Sequence, residues 1–307
     1  MIRIGSRGSQ LALWQADHIA QALRTQGHEV SIEIIRTTGD RMQNIAFASV
    51  GAKGMFTREI EDALLAGTID LAVHSLKDLP TELAETFTLA AIPTRGDARD
   101  VLVSERYVGF DALPPGAIVG TSSLRRQAQL RARRPDLEYV EFRGNVDTRL
   151  AKLAQGKADA IILAAAGLDR LQKTAAIRER FAPEVLCPAP GQGAMAIECR
   201  AGDENTRAVL RPLDDAATRM AITAERRCLA ALGGGCLVPI GAYCHRSGDA
   251  LSLRAVVASA DGQQLISAER RHSDPVLLGE QTAQALLDQG AGTILGLPEG
   301  GLQEKRG

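Results

Sequence analysis

The chain has 307 residues, 45% of them hydrophobic and 24% charged, with a net charge of −1 at pH 7. That length allows two or three domains with proper cores, and a balance so near neutral argues against a nucleic-acid or anionic-membrane surface. The opening "MIRIGSRGSQLALWQA" has neither the apolar core of a signal peptide nor the length of a spanning helix, so a cytoplasmic protein is expected.

From the N-terminus, strand and helix patterns alternate. "IRIGS" reads as a strand, "SQLALWQADHIAQALRTQG" as an amphipathic helix stopped by Gly27, and "EVSIEIIRT" as a second strand. "TREIEDALLAG" predicts a helix and "IDLAVHSL" a buried strand of the parallel kind. After Pro93 the series repeats with "AIVGTS", "SLRRQAQLRARR", "EYVEFRG", "VDTRLAKLAQG" and "DAIILAAAGL" as strand, helix, strand, helix, strand. The Pro- and Gly-rich "CPAPGQGAMAIECR" is placed to return the chain to the first unit, which would make two crossings and a hinge. Beyond Arg211 the grammar changes. "DAATRMAITAERRCLAAL" is a helix that runs into the GGGC turn, residues 239–271 are strands broken by Ser-Gly-Asp and Asp-Gly hairpin signals, and "PVLLGEQTAQALLDQG" closes as a helix. The expected fold is α/β. Two lobes with mainly parallel sheets, 1–94 with 195–212 and 95–194, precede an α+β domain with an antiparallel sheet at 213–307.

Five cysteines (Cys187, Cys199, Cys228, Cys236 and Cys244) are an odd count with no Cys-x-x-Cys spacing, so free thiols are expected and no metal site. Of 36 basic residues six are Lys, leaving 30 Arg. Codon usage explains such a bias in part. The alternative is carboxylate binding by planar guanidinium groups, and position decides between them. In open α/β sheets ligands bind beyond the carboxyl ends of the strands, where three groups fall. Lys77 and Asp78 end an apolar strand in "HSLKDLP". In "GTSSLRRQ", Thr121, Ser122 and Ser123 lie where a strand meets a helix, and Arg125 and Arg126 follow in the first turn. Cations at that end oppose the helix dipole, so an anionic ligand is the expected partner. "FRGNVDTR" repeats the layout with Arg143 and Arg149. Lys53 in "GAKGMF" lacks the spacing of a nucleotide-binding loop and is a weaker signal.

"GGGCLVPIG" leaves Cys236 in a turn without side-chain cover, which is either a tight turn or a thiol that must be reached by a reactant. Taken in order, "GSRGSQLALWQA", "VGAKGMFTREIEDALL", "DLAVHSLKDLPT", "VGTSSLRRQAQL", "RGNVDTRL", "CPAPGQGA" and "GGGCLVPIG" resemble the porphobilinogen deaminase (hydroxymethylbilane synthase) family over nearly the whole chain. Ser49 is a departure, since many members carry a second lysine there.

The resemblance implies two lobes like those of periplasmic binding proteins, with the cofactor-anchoring domain third. It implies a transferase that condenses four porphobilinogen molecules head to tail on a dipyrromethane primer, held by a thioether to Cys236, and then releases a linear tetrapyrrole. It assigns catalysis to Asp78. Cofactor contacts fall to Lys77, Asp78, Thr121, Ser123, Arg125, Arg126 and Arg143. Substrate contacts fall to Arg7, Ser9, Arg149, Arg170, Lys53, Gln15, Phe56 and Gln192. The expected state is a monomer acting on a small molecule, with no nucleic-acid or membrane partner. Two rivals share parts of the pattern: a two-lobed anion-binding protein without catalysis, and a regulator's effector domain, for which no helix-turn-helix segment is left over.

Overall fold

The computed structural model describes residues 1–38, 57–234 and 238–297. The first lobe begins with β1 (Ile2–Ser6), α1 (Gln10–Thr25), β2 (Val30–Ile34), α2 (Arg58–Leu65), β3 (Leu71–Ser75) and β4 (Phe87–Ala91). Ala16, Ile19, Ala20 and Leu23 recur at helical spacing on α1 and bury against Ile4, Leu71 and Val73 of the sheet. The alternate residue of β3, Ala72, packs on the other face with Ile60 and Leu64 of α2. A strand covered on both faces has to be apolar throughout, which is why this one reads as a continuous run.

The second lobe contains β5 (Asp100–Val103), β6 (Ile118–Gly120), α3 (Leu124–Arg133), β7 (Glu138–Val140), α4 (Val146–Ala154), β8 (Ala160–Ala164), α5 (Ala165–Arg170) and β9 (Ile177–Arg180). The chain then returns as β10 (Met195–Arg200) and α6 (Glu204–Leu210). β10 inserts between β3 and β4, giving the order β2-β1-β3-β10-β4, while the second sheet runs β7-β6-β8-β5-β9. β10 is antiparallel to both its neighbours, and so is β5. Each sheet therefore has four strands in one direction and one reversed strand, in the same place.

Two details differ from the expected elements. The run "DAIILAAAGL" is a strand only as far as Ala164, and helix α5 starts at Ala165, in keeping with the high helix propensity of alanine. β4, β5, β9 and β10 were not anticipated as strands. Each is four to six residues long and lies beside an irregular segment that hides its period.

The two crossings between lobes lie side by side, and the Gly96 N–H donates to Gly193 O at 3.1 Å. Gly193 has φ +85°, and a Cβ there would sit 2.7 Å from Gly96 O, so this close approach requires glycine. The third domain comprises α7 (Ala216–Ala231), β11 (Ile240–Ser247), β12 (Ala250–Ala258), β13 (Leu265–His272), α8 (Pro275–Leu287) and α9 (Ala291–Leu295). Its three strands form an antiparallel sheet whose inner face packs on the helices through Cys228, Leu253, Val257, Leu278 and Leu286. Glu225 of α7, fully buried, ties this domain to both crossings. It accepts from Arg95 Nη1 at 2.6 Å, the Gly191 N–H at 2.7 Å and the Cys244 N–H at 2.8 Å.

Candidate active site

On the first lobe the site forms where β1 and β3 end. Ser6 closes β1 and Ser9 caps α1, its Oγ accepting from the Ala12 N–H at 3.3 Å. Gln15, one turn further along α1, is buried and donates through Nε2 to Ser75 Oγ at 3.0 Å. β3 then runs into a short 3₁₀ turn, Leu76–Asp78, that presents Lys77 half-buried and Asp78 exposed. Arg7, Ser9, Gln15 and Asp78 line one cavity together with Thr57, His74 and Ser75.

The second lobe supplies the end of β6. Thr121 Oγ1 accepts from the Ser123 N–H at 3.3 Å, Ser123 Oγ caps α3 by accepting from the Arg126 N–H at 3.4 Å, and Ser122 Oγ accepts from the Phe142 N–H at 3.0 Å. Each hydroxyl keeps its own O–H for a further acceptor.

Arg125 and Arg126 correct one step of the sequence argument. Their counter-charge is a carboxylate of the protein itself, Asp100 at the start of β5. Arg125 Nη1 donates to Asp100 Oδ2 at 2.7 Å, while Arg126 reaches Oδ1 through Nε at 2.9 Å and Nη2 at 2.7 Å. All three residues are buried. Burial alone would raise the Asp100 carboxyl, but the charges and hydrogen bonds of the two arginines outweigh it and hold it well below the usual range. Two guanidinium groups on one carboxylate still leave a net positive cluster. Asp100 was missed because nothing local to "ARDVLV" marks an acid whose partners come 25 residues later.

Gln192, fully buried on the return crossing, joins the lobes at this point. Its Nε2 donates to Ala98 O at 2.7 Å and Asp100 Oδ1 at 2.9 Å, and its Oε1 accepts from Lys77 Nζ at 3.3 Å and Arg126 Nη2 at 3.5 Å. Burial lowers the Lys77 ammonium to about 8, with Asp78 and Asp100 opposing the fall and Arg126 and Arg125 adding to it.

Among the described residues Arg149 and Arg170 have no such carboxylate. Burial lowers Arg149 to about 10, with Arg126 adding to the fall and Asp78 opposing it, so it lies within the field of both. Its Nε is buried with no hydrogen-bond partner among the described residues. Arg170 is also lowered by burial to about 10; its Nη2 donates to Gly193 O at 2.7 Å, and its guanidinium lies 5.7 Å from the Trp14 ring centroid across the lobes. Arg143 stands further out, donating to Glu141 Oε1 at 2.5 Å. Cys236, Lys53 and Phe56 lie outside the described residues, as does Ser49.

These groups suit a ligand carrying several carboxylates. A buried guanidinium nitrogen left without an acceptor is costly, and an anion from outside would complete it. Asp78, exposed among cations at a strand end, is placed to face positive charge on such a ligand. The fold and cleft therefore define a two-lobed protein for a polyanionic ligand, with a third domain locked to its hinge.

Two family models match the chain: "Porphobilinogen deaminase, dipyromethane cofactor binding domain" over residues 2–208 and "Porphobilinogen deaminase, C-terminal domain" over 219–288. The porphobilinogen deaminase of Roseiflexus sp. (strain RS-1) is 52% identical over 295 residues, covering 95% of this chain and 97% of that protein. The enzymes of Brevibacillus brevis and Stenotrophomonas maltophilia are 48% and 49% identical, covering 95% and 96% of this chain and 96% and 98% of theirs. A solved periplasmic substrate-binding protein of an ABC transporter from Coxiella burnetii covers 71% of this chain and 94% of its own length at 14% identity, with a TM-score of 0.42. The chain belongs to the porphobilinogen deaminase family.

Proposed function

We infer that this chain deaminates porphobilinogen and joins four molecules of it head to tail on a dipyrromethane carried by Cys236, releasing the linear tetrapyrrole hydroxymethylbilane. The observation that supports it best is a single exposed carboxylate, Asp78, beside a cluster of buried cations of which Arg149 has an unfilled donor. The dipyrromethane, when bound, supplies the first ring to which a substrate unit is joined. Lys77, Thr121, Ser123, Arg125, Arg126 and Arg143 would hold its acetate and propionate groups, and Arg7, Ser9, Gln15, Arg149, Arg170 and Gln192 those of the incoming substrate, with Lys53 and Phe56 completing the set.

The chemistry asked of Asp78 follows from the substrate. Loss of ammonia from the aminomethyl group leaves positive charge spread over the pyrrole and its methylene carbon. A fixed carboxylate close to the ring nitrogen stabilises that charge most where it is largest, near the transition state. The surrounding arginines orient the rings through their acids. Gln192 holds Lys77 and Arg126 in one network, so the two halves of the anion site are built together.

Boundaries at 1–94 with 195–212, 95–194 and 213–307 belong to the same proposal, and the pairing of β10 with β3 and β4 supports the return to the first lobe. So do a monomeric state, a cytoplasmic location and the lack of a nucleic-acid or membrane partner. The near-neutral charge supports the lack of a nucleic-acid or anionic-membrane partner, and no helix among the described residues is long and apolar enough to cross a membrane. A two-lobed anion carrier without catalysis is the reading that the family match disfavours.

The intact mass of the purified chain, measured alongside porphobilinogen consumption, tests the proposal. The wild type should be heavier than its sequence by two deaminated pyrrole units, Cys236→Ser should weigh the bare chain and be inactive, and serine at Cys187, Cys199, Cys228 or Cys244 should leave the adduct in place. A wild type that is unmodified and fully active would sink the cofactor assignment, and one that consumes no porphobilinogen would sink the reaction.

A further inference from the structure

Beneath the cavity that holds Asp78 is a pair of ionisable groups that the scheme above does not use. His74 of β3 lies 2.9 Å through Nε2 from Glu198 Oε2 of β10, on the ladder where His74 is paired with Ala196. Glu198 is fully buried and His74 is 8% exposed, and His74 lines the same cavity as Asp78, Arg7 and Ser9. The second oxygen of Glu198, Oε1, is buried and has no hydrogen-bond partner among the described residues. A histidine that only filled a core would not need an acid behind it, and an acid that only satisfied a histidine would not be kept with one oxygen bare at a cost of this kind.

Among the described residues the charged groups around the pair are few. β10 offers Glu198. α2 offers Glu61, whose carboxyl is raised by burial and further by the charge of Glu198, against the opposing effect of His74. The loops after β1 and β3 offer Arg7 and Asp78, α1 offers the neutral Ser9 and Gln15, and β1 meets β3 at Ile4 and Gly5. His74 thus lines the cavity with Glu198 behind it.

The reaction has use for such a group. Asp78 stabilises a cation only while it is ionised, so the proton displaced at each addition needs another resting place. We propose that Glu198 and His74 form a second proton-handling pair of the cleft, taking up the proton set free as each new carbon–carbon bond forms and passing it to the departing ammonia. This rests on the deaminase reading. From the ammonium form of the substrate, the C–N bond breaks with both electrons on nitrogen, giving neutral ammonia. The accepting α-carbon forms the new bond with a ring electron pair, and its C–H bond then breaks, returning the electrons to the ring and the proton to neutral His74. The imidazolium, paired with Glu198, protonates the ammonia. The net product is one ammonium ion per addition, with no oxidant or reductant.

The test uses cofactor-loaded protein, with loading verified by mass. His74→Gln should lower kcat roughly tenfold to a hundredfold, change KM by less than about twofold, and remove the acidic limb of the kcat–pH profile, because the neutral imidazole is the competent form. Glu198→Gln should shift that limb to lower pH, because imidazolium loses its counter-charge. A second readout does not depend on turnover: in wild-type holoprotein with labelled histidine, the His74 nitrogen signals should report both the neutral and the protonated imidazole across the pH range in which the enzyme turns over. Those signals can be assigned through either variant that folds. An unchanged kcat and pH profile in loaded His74→Gln, or an imidazole that keeps one protonation state over that range, overturns the proposal. A wild type without turnover would instead overturn the deaminase reading.

Discussion

β1 and β6 hold the same place in their sheets, each flanked by two parallel neighbours and each followed by a serine-capped helix, Ser9 in one lobe and Ser123 in the other. β3 and β8 correspond in the same way, yet the first ends in Lys77 and Asp78 and the second in the helix that carries Arg170. The reversed strands differ more instructively. Both carry a fully buried acid, Asp100 on β5 and Glu198 on β10. Asp100 is saturated by Arg125, Arg126 and Gln192, so it behaves as a fixed structural charge. Among the described residues Glu198 has one imidazole partner and one bare oxygen, so it is not clamped by guanidinium as Asp100 is. One architectural plan thus yields a rigid cationic wall and a wall suited to moving protons, according to whether the buried acid meets guanidinium or imidazole.

The largest expected effect lies in the first lobe. Asp78→Asn keeps size and much of the hydrogen bonding but removes the charge, and should lower kcat about a hundredfold or more with little change in KM. Steady-state kinetics on protein of verified cofactor content decides it, and a near-normal kcat would make Asp78 an ordinary turn residue. In the second lobe the corresponding break is Asp100→Ala, which leaves two buried guanidinium groups without their acid and should cost about 3–5 kcal/mol of unfolding free energy. Denaturant unfolding measures this, and Glu198→Gln should lose far less in the same experiment. A loss of similar size in both would erase the distinction between the two acids.

Arginines of the second lobe should separate by the same logic. Arg149→Gln removes a desolvated cation, so the bare fold should be as stable or more so, while binding of the ligand acids weakens by about 1.5–3 kcal/mol. Arg126→Gln should instead lower fold stability, because Asp100 loses two of its hydrogen bonds. Paired unfolding and cofactor-retention measurements would show the two profiles cross; identical profiles would mean that pairing to Asp100 is irrelevant. The smallest effect is a pH dependence at Lys77, whose ammonium is lowered to about 8 in the fold. Below that pH both folded and unfolded chains hold the proton. Between about pH 8 and the free lysine value near 10.4 the unfolded chain holds more of it, so stability should rise with pH relative to Lys77→Met. Over the same window binding of carboxylates should weaken as the charge is lost. Parallel stability curves for the two proteins from pH 7 to 10 would remove Lys77 from the account.

Local sequence was enough for the parallel βα series and the change of grammar after Arg211. Each depends on residues within one or two turns: apolar spacing on α1, an unbroken apolar run in β3, and hairpin signals in the third domain. Asp78, Lys77 and the arginines were legible as candidates because strand ends are where open sheets present ligand groups, and the ordered motifs tied them to one family. Tertiary structure decided what each charge does. Arg125 and Arg126 look alike whether they await a ligand or grip Asp100, since their partner arrives on a reversed strand from an earlier part of the chain. The His74–Glu198 pair spans 124 residues, and β10 reaches β3 only after the chain has built the whole second lobe. Burial and pairing set what each of these groups can do, and both are properties of the packed sheets, on which a local motif carries no information.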